Sequence, residues 1–317
     1  MRYYFAPMEG LTDSVYRRLH HKFFPGVDRY YMPFLSPTVH RQLTAREERE
    51  LPYAHSEDFR AVPQLLTKVP EDFLWMAQQC KDRGYDEVNL NLGCPSGTVV
   101  SKGKGSGMLR DPDALCSFLD AVFEKAPLPI SVKTRIGLES PEEFPRLLEI
   151  YNQYPIKELT VHPRVRKAFY KGSVHMDAFR YALENSTNPL CYNGSLCTKT
   201  DIEDFRKEFP QVEAVMLGRG LIADPGMLSP AGTDVQTLEA FCDALLAEYR
   251  QVFGSARNAM FRLKESWQLI ICMFDDNAKL KKQLLKTTDV EQFKAITHQI
   301  FHTLPLRTEA NKDWDQI

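Results

Sequence analysis

The chain has 317 residues, of which 43% are hydrophobic and 26% are charged, and its formal net charge is −2. This composition excludes gross disorder, and the balanced charge means that any nucleic-acid site must be a local basic patch. The seven cysteines form no C-x-x-C pair, which argues against a disulfide framework or a zinc site and favours a reduced, cytoplasmic setting. The first ten residues are too poor in apolar side chains for a signal peptide, and no apolar run long enough for a membrane span is present.

Short, apolar, β-rich segments recur through the first part of the chain, and most are followed by a helix-like segment. In chain order they are RYYFAPM (2–8), DRYYMPFL (28–35), AVPQLL (61–66), EVNLNLG (87–93), PISVKTRI (129–136), ELTVHPR (158–164), PLCYNGS (189–195) and AVMLGRG (214–220). Strands that alternate with helices pair in parallel. Eight such units predict an α/β fold, a (β/α)₈ TIM barrel, with a doubly wound sheet as the alternative.

The segments between these strands include three clear amphipathic patterns, at 71–84, 111–126 and 199–210. Asp111 or Asp113 is a candidate N-cap for the second, and Thr200 or Asp201 for the third. After Gly232 the strand signal ends, and apolar residues at helical spacing predict helices at 234–254, 256–274, 276–287 and 289–304. We therefore expect a catalytic barrel at 1–232, an all-helical domain at 233–306 and a polar tail at 307–317.

Polar residues and glycines gather where the predicted strands end, which is the edge at which such barrels place their chemistry. Asn193 and Gly218-Arg219 follow the last two strands, where backbone N–H groups and an arginine commonly bind phosphate. Gln64 and Lys133 reach inward from the third and fifth strands and can address a flat ring, because a cation stabilises an anionic reduced flavin. Together these residues predict an FMN site.

The motifs that carry these residues resemble those of the tRNA-dihydrouridine synthases, FMN enzymes that reduce a uridine in tRNA with NADPH. The matching stretches are APMEGLTD (6–13), PQLL (63–66), NLNLGCP (89–95), KGKGSGML (102–109), SVKTRIG (131–137), VHPR (161–164) with YKG (170–172), YNGS (192–195) and LGRG (217–220). The resemblance covers the whole barrel and implies a proton donor at Cys94. It also implies FMN contacts at Pro7, Met8, Gln64, Lys133, His162, Asn193, Gly218 and Arg219. Pro163 and Ser195 depart from the usual family pattern.

Reduction of the uracil C5–C6 bond requires a hydride at C6 and a proton at C5. The flavin supplies the hydride. A cysteine with an ordinary pKa of about 8.5 is mostly protonated at about pH 7, so Cys94 can donate the proton if it is correctly placed. The other six cysteines fall on helix, strand or connection patterns and are predicted to be structural.

A uridine stacked in folded RNA must be extruded to reach such a pocket, so the loops at the barrel mouth should carry cations. The candidate RNA contacts are Lys102, Lys104, Arg135, Arg164, Arg166, Lys167 and Lys171. Phe169 or Tyr170 can stack on a base or simply anchor its loop. In the helical segment, basic residues at 257, 262, 264 and 279–286 are either tRNA contacts or a solvated face.

Two alternatives remain open at this point. One is an FMN barrel that acts on a free pyrimidine or a dihydroorotate-like acid, and the other is an RNA-binding barrel without catalytic activity. The reductant is expected to be NADPH, with NADH left open because no G-x-G-x-x-G dinucleotide motif is present. No metal is expected, and the sequence leaves the modified uridine and the oligomeric state open.

Overall fold

A computed structural model describes residues 1–312 and Trp314, so part of the predicted polar tail, residues 313 and 315–317, lies outside the described residues. Nine parallel strands form one sheet in the order β3-β2-β1-β9-β8-β7-β6-β5-β4. Their bounds are β1 Arg2–Phe5, β2 Arg29–Tyr31, β3 Ala61–Val62, β4 Gln64–Leu65, β5 Val88–Leu92, β6 Ile130–Arg135, β7 Leu159–His162, β8 Leu190–Tyr192 and β9 Ala214–Leu217.

The two edge strands of this sheet, β3 and β4, are halves of one predicted segment that Pro63 separates. Proline has no N–H to donate to a ladder, which explains the break. The Pro63 carbonyl still accepts from the backbone N–H of Asn89 at 2.8 Å, and Leu35 pairs with Leu65 beyond β2. The segment 61–66 therefore pairs with β2 through β3 and with β5 through β4, which closes the sheet into a barrel. This confirms the predicted (β/α)₈ barrel and shows that the doubly wound alternative is wrong.

Thirteen α-helices are present among residues 1–312 and 314. They are α1 Ser14–Phe23, α2 Ala45–Glu50, α3 Pro70–Asp82, α4 Gly97–Val100, α5 Pro112–Lys125, α6 Phe144–Tyr151, α7 Met176–Asn185, α8 Lys199–Glu208, α9 Arg219–Ala223, α10 Val235–Phe253, α11 Ala256–Ile270, α12 Ala278–Lys286 and α13 Val290–Thr303. Short 3₁₀ segments include Gly105–Arg110 and Arg166–Ala168.

The helix starts follow capping chemistry. Asp111 caps α5 as predicted, since its side chain accepts from the backbone N–H of Ala114. The cap predicted for α8 at Thr200 or Asp201 is wrong, because Thr198 caps that helix. Asp201 is instead the third helical residue, and its carboxylate accepts from the backbone N–H of Thr198 in a capping box.

The chain divides into two compact units. The first contains Met1–Pro7, Asp28–Gly194 and Pro210–Met216, and with them β1 to β8 and all of β9 except Leu217. The second contains Met8–Val27, Ser195–Phe209 and the described residues from Leu217 onward, including α10 to α13. The C-terminal region is helical, as expected, and the predicted boundaries at 232 and 306 stay predictions.

The barrel interior can be read from β6. The Thr134 hydroxyl lies 2.9 Å from the Tyr151 hydroxyl on α6, so Thr134 faces the helices. Successive strand residues point to opposite faces, which turns Ser131, Lys133 and Arg135 toward the barrel interior. Polar groups thus occupy three consecutive inward positions of one strand, where an ordinary barrel core is apolar. Among the described residues, no helix is both long enough and apolar enough to span a bilayer.

Candidate active site

Cys94 lies in the turn directly after β5 and is half-buried. The backbone N–H groups of Gly93 and Cys94 both donate to Asn91 Oδ1, at 3.0 and 2.9 Å. The Cys94 carbonyl oxygen accepts from Ser106 Oγ at 2.7 Å and from the Ser106 backbone N–H at 3.2 Å. These bonds fix the backbone on both sides of the residue that carries the thiol.

The loop after Cys94 packs directly against it. Gly105 has φ of +58°, and a Cβ added there would lie 3.0 Å from the Cys94 Cβ, so the close approach requires glycine. Lys102 on this loop is exposed, and Lys104 is partly exposed. Lys68 follows β4 and lies against the same loop, with Nζ 3.4 Å from where a Gly103 Cβ would be. Lys68 was not among the residues predicted from the sequence. Its position just after the third strand segment is the signal that could have identified it.

Gln64 and Lys133 both face the barrel interior. Gln64 is fully buried and donates from Nε2 to Asn89 Oδ1 at 2.8 Å. Burial, and after it the neighbouring Arg135 charge, lowers the pKa of Lys133 to about 7. Within residues 1–312 and 314, no carboxylate forms an ion pair with Lys133. The Lys133 amine is therefore available to an anionic ligand, whose negative charge would favour its protonated form.

Arg135 is buried rather than exposed at the mouth. It donates from Nε to the Gly93 carbonyl at 2.9 Å and from Nη1 to the Val165 carbonyl at 3.1 Å. Its guanidinium also lies 5.5 Å from the centre of the Tyr170 ring. Burial is the main reason that its pKa falls to about 10. Arg135 therefore joins the Cys94 turn to the loop after β7.

His162 and Arg164 are also buried, at 6% and 4% exposure. Arg164 Nη1 lies 3.1 Å from His162 Nε2, and because arginine can only donate, that histidine nitrogen must accept. Arg164 also donates from Nε and Nη2 to the Gly172 carbonyl, at 3.3 and 3.1 Å. This side chain ties the two ends of the 164–172 loop together.

The remaining basic residues of that loop point outward. Lys167 and Lys171 are exposed, and Arg166 is partly exposed with its guanidinium 5.4 Å from the centre of the Phe169 ring. Phe169 itself is exposed and has a positive φ of 49°. Tyr170 contacts Arg135 and so anchors the loop. The loop offers its outer cations and the exposed parts of two aromatic rings, Phe169 and Tyr170, to solvent.

The predicted phosphate-binding residues are divided between the two compact units. Asn193, in the first unit, donates from Nδ2 to the Met216 carbonyl at 2.7 Å. Gly218 and Arg219 begin α9 in the second unit and are partly exposed. Their phosphate-binding role stays a prediction.

The two residues predicted at the end of β1 are partly exposed. Pro7 belongs to the first unit and Met8 to the second. The backbone N–H of Met8 donates to Thr12 Oγ1 at 2.9 Å. Their predicted contact with FMN also stays a prediction.

Two basic residues of the C-terminal helices are used inside the second unit. Arg262 on α11 donates from Nε to Asp13 Oδ2 at 3.0 Å and also donates to the Gly10 carbonyl. Lys264 is buried and donates to the Thr287 carbonyl at 2.7 Å. The exposed cations of this region include Arg257, Lys279, Lys282 and Lys286.

The inward groups fit a flavin. A reduced flavin ring is anionic and rich in acceptors, and the barrel interior presents two groups that can address it, the buried amine of Lys133 and the buried amide of Gln64. No cluster of three or more His, Cys, Asp or Glu suited to a metal ion occurs among the described residues.

Comparison with known proteins is consistent with this geometry. The family model described as "Dihydrouridine synthase (Dus)" matches residues 4–310. A probable tRNA-dihydrouridine synthase of Rhizobium leguminosarum bv. phaseoli is 29% identical over 254 residues, covering 78% of this chain and 77% of that protein. A probable tRNA-dihydrouridine synthase of Staphylococcus aureus (strain MRSA252) is 26% identical over 309 residues, covering 92% and 90%. The tRNA-dihydrouridine synthase B of Pasteurella multocida is 27% identical over 227 residues, covering 71% and 67%.

Proposed function

The chain belongs to the dihydrouridine synthase family, and from this premise we propose that it reduces the C5–C6 bond of specific uridines in tRNA, with FMN, NADPH and Cys94 as proton donor. The observation that carries the proposal is the Cys94 turn. A half-buried thiol is held through its own backbone at the carboxyl edge of β5, beside inward polar groups that suit a flavin.

We propose that FMN binds against Gln64, Lys133 and His162, with further contacts from Pro7, Met8, Asn193, Gly218 and Arg219. When bound, FMN supplies the hydride for C6. Lys133 contributes a positive charge that stabilises an anionic ring, while burial and then the Arg135 charge lower its pKa when no ligand is bound. His162 keeps Nε2 as an acceptor toward Arg164.

Cys94 is proposed to hold the proton that C5 receives. A general acid acts mainly through placement, and the bonds to Asn91 and Ser106 fix the backbone on both sides of the thiol. This role requires no partner base and no depressed thiol pKa, unlike a nucleophilic cysteine.

The tRNA is proposed to bind over the mouth loops through Lys102, Lys104, Arg166, Lys167 and Lys171. Arg135 and Arg164 were predicted as RNA contacts too. Since both are buried and bonded to loop carbonyls, we propose that they support the loops that carry the exposed cations. Among the described residues, which include all seven cysteines, no disulfide is formed, and this supports the proposed cytoplasmic setting.

The test is to purify the protein and add NADPH, then unmodified tRNA. We expect a yellow protein whose flavin absorbance is bleached by NADPH and restored by tRNA, with dihydrouridine appearing in the tRNA. NADH and a free pyrimidine serve as parallel additions. If the free pyrimidine reoxidises the reduced flavin and tRNA does not, the small-molecule alternative is favoured. A colourless protein that takes up no FMN would contradict the proposal. Mapping dihydrouridine in tRNA from cells with and without this protein then identifies which uridine position is reduced.

A further inference from the structure

A continuous chain of buried side-chain hydrogen bonds runs through the barrel to the Cys94 turn. We call it the amide relay, and its members are Glu87, Ser131, Asn89, Gln64 and Asn91. Ser131 Oγ donates to Glu87 Oε1 at 2.7 Å, and Asn89 Nδ2 donates to Ser131 Oγ at 2.9 Å. Gln64 Nε2 donates to Asn89 Oδ1 at 2.8 Å, and Asn91 Nδ2 donates to Gln64 Oε1 at 2.7 Å. The relay therefore connects Glu87 to the residue that holds the Cys94 backbone.

All links of the amide relay run in one direction. In each bond the donor lies on the Cys94 side and the acceptor on the Glu87 side. A carboxylate only accepts, whereas the backbone N–H groups at the other end only donate. Both ends thus require the same orientation of every amide between them. Rotating any one amide by half a turn would place two donors or two acceptors face to face.

Burial makes this requirement strict. The exposed fraction is at most 7% for every member of the relay, so water cannot readily replace a lost partner. Glu87 is itself fixed by three cations, with Lys157 Nζ at 2.8 Å, Arg60 Nη2 at 3.5 Å and Arg29 Nη1 at 3.6 Å. The acceptor end of the relay is therefore rigid and charged.

We propose that Ser131 and Asn89 are positioning residues for the flavin site, because they set the orientation of the Gln64 amide and, through Asn91, the turn of Cys94. The inference rests on the proposed function, in which Gln64 contacts FMN. Ser131 matters most, since among the described residues it alone links the amides to the Glu87 carboxylate. In this arrangement Gln64 keeps one N–H and one lone pair of Oε1 for a ligand.

The decisive variant is Ser131→Ala, which leaves the Asn89 amide without its acceptor. We expect the dissociation constant for FMN to rise roughly tenfold and the reduction potential of the bound flavin to shift, because the Gln64 amide is then oriented from the Cys94 side alone. Ser131→Thr keeps the hydroxyl and should restore both values. The matched control is Thr160→Val, which removes another buried hydroxyl that lies outside the relay and pairs in register with Lys133.

The outcomes separate the inference from the proposed function. If Ser131→Ala binds FMN with the wild-type constant and potential, the positioning role is wrong while the proposed function stands. If the wild-type protein binds no FMN, the proposed function fails first. Equal shifts in Ser131→Ala and Thr160→Val would also overturn the inference, because any lost hydroxyl would then have the same effect. Should Ser131→Ala not fold, Ser131→Cys is the second variant. Its thiol fills similar space but forms weaker hydrogen bonds, so the dissociation constant for FMN should again rise.

Discussion

Arg135 donates from Nε to the carbonyl oxygen of Gly93 at 2.9 Å, one residue before Cys94. The same guanidinium donates to the Val165 carbonyl and lies over the Tyr170 ring. One side chain therefore holds both the turn proposed to carry the acid and the loop proposed to face RNA. Arg135 was predicted to contact RNA, but in this structure it links two parts of the candidate site.

Replacing Arg135 by lysine should lower the turnover number about tenfold or more, because a single ammonium cannot reproduce a planar fork directed at two carbonyls. FMN occupancy should stay close to that of the wild type. Single-turnover formation of dihydrouridine, with the flavin spectrum recorded on the same sample, measures both. Arg146→Lys on α6 is the control, since Arg146 is exposed and pairs only with Glu149 in the structure described. Wild-type turnover in Arg135→Lys would contradict the linking role.

Cys94→Ala should retain FMN and its bleaching by NADPH while losing about 10²- to 10⁴-fold in dihydrouridine formation, the usual contribution of a positioned acid. The reductive and oxidative half-reactions can be followed separately by flavin absorbance. Cys116→Ala is the matched control, because Cys116 is also partly exposed but lies on α5. An unchanged oxidative half-reaction in Cys94→Ala would rule out this thiol as the proton donor.

Lys133 should make the flavin-free protein more stable as pH rises. Its pKa in the folded protein is about 7, below the ordinary 10.5, so between these values the unfolded chain binds a proton that the folded chain lacks. The free energy of unfolding must therefore increase with pH across this window, and the full cost of burying the charge is present below about pH 7. The measurement is the free energy of unfolding in urea at several pH values between about 7 and 10.5, for the wild type and for Lys133→Met. The difference between the two proteins gives the contribution of Lys133. Parallel pH profiles for the two proteins would contradict the lowered pKa.

Lys171→Gln should weaken tRNA binding and reduce the slope of log Kd against log salt concentration by roughly 0.7 to 0.9, the contribution of one phosphate contact. Filter binding over a range of salt concentrations measures this slope. Lys125→Gln serves as the control, because Lys125 is exposed but ends α5, just before β6 begins and so at the opposite end of the barrel from the mouth. Identical slopes for the wild type and Lys171→Gln would remove Lys171 from the proposed interface.

The strand pattern predicted the barrel well because each segment is a short run rich in apolar residues, and most are followed by a helix-like segment. It could not predict that Pro63 divides the third segment into β3 and β4, since that depends on which backbone N–H groups the neighbouring strands require. The four C-terminal helices were predicted within a few residues at each end, because their apolar periodicity is continuous.

The candidate site was harder to predict than the fold. The placement of Gln64 and Lys133 on strands, and of Cys94 just after one, follows from the strand pattern. The burial of Arg135 and Arg164 does not, because a charge in a sequence does not show whether loop carbonyls of the same protein already accept from it. The link between Ser131 and Asn89 depends on the register of β5 against β6, where these two residues are direct partners. A single sequence contains no information about that register.

The bond from Arg164 to the Gly172 carbonyl has a consequence for the speed of RNA capture. The loop between them carries Lys167 and Lys171, and its ends are already joined before any RNA arrives. Its conformational entropy is therefore lost during folding rather than on association. We expect electrostatic encounter, and not a slow ordering of the loop, to limit the association rate, so that the rate constant falls steeply with ionic strength.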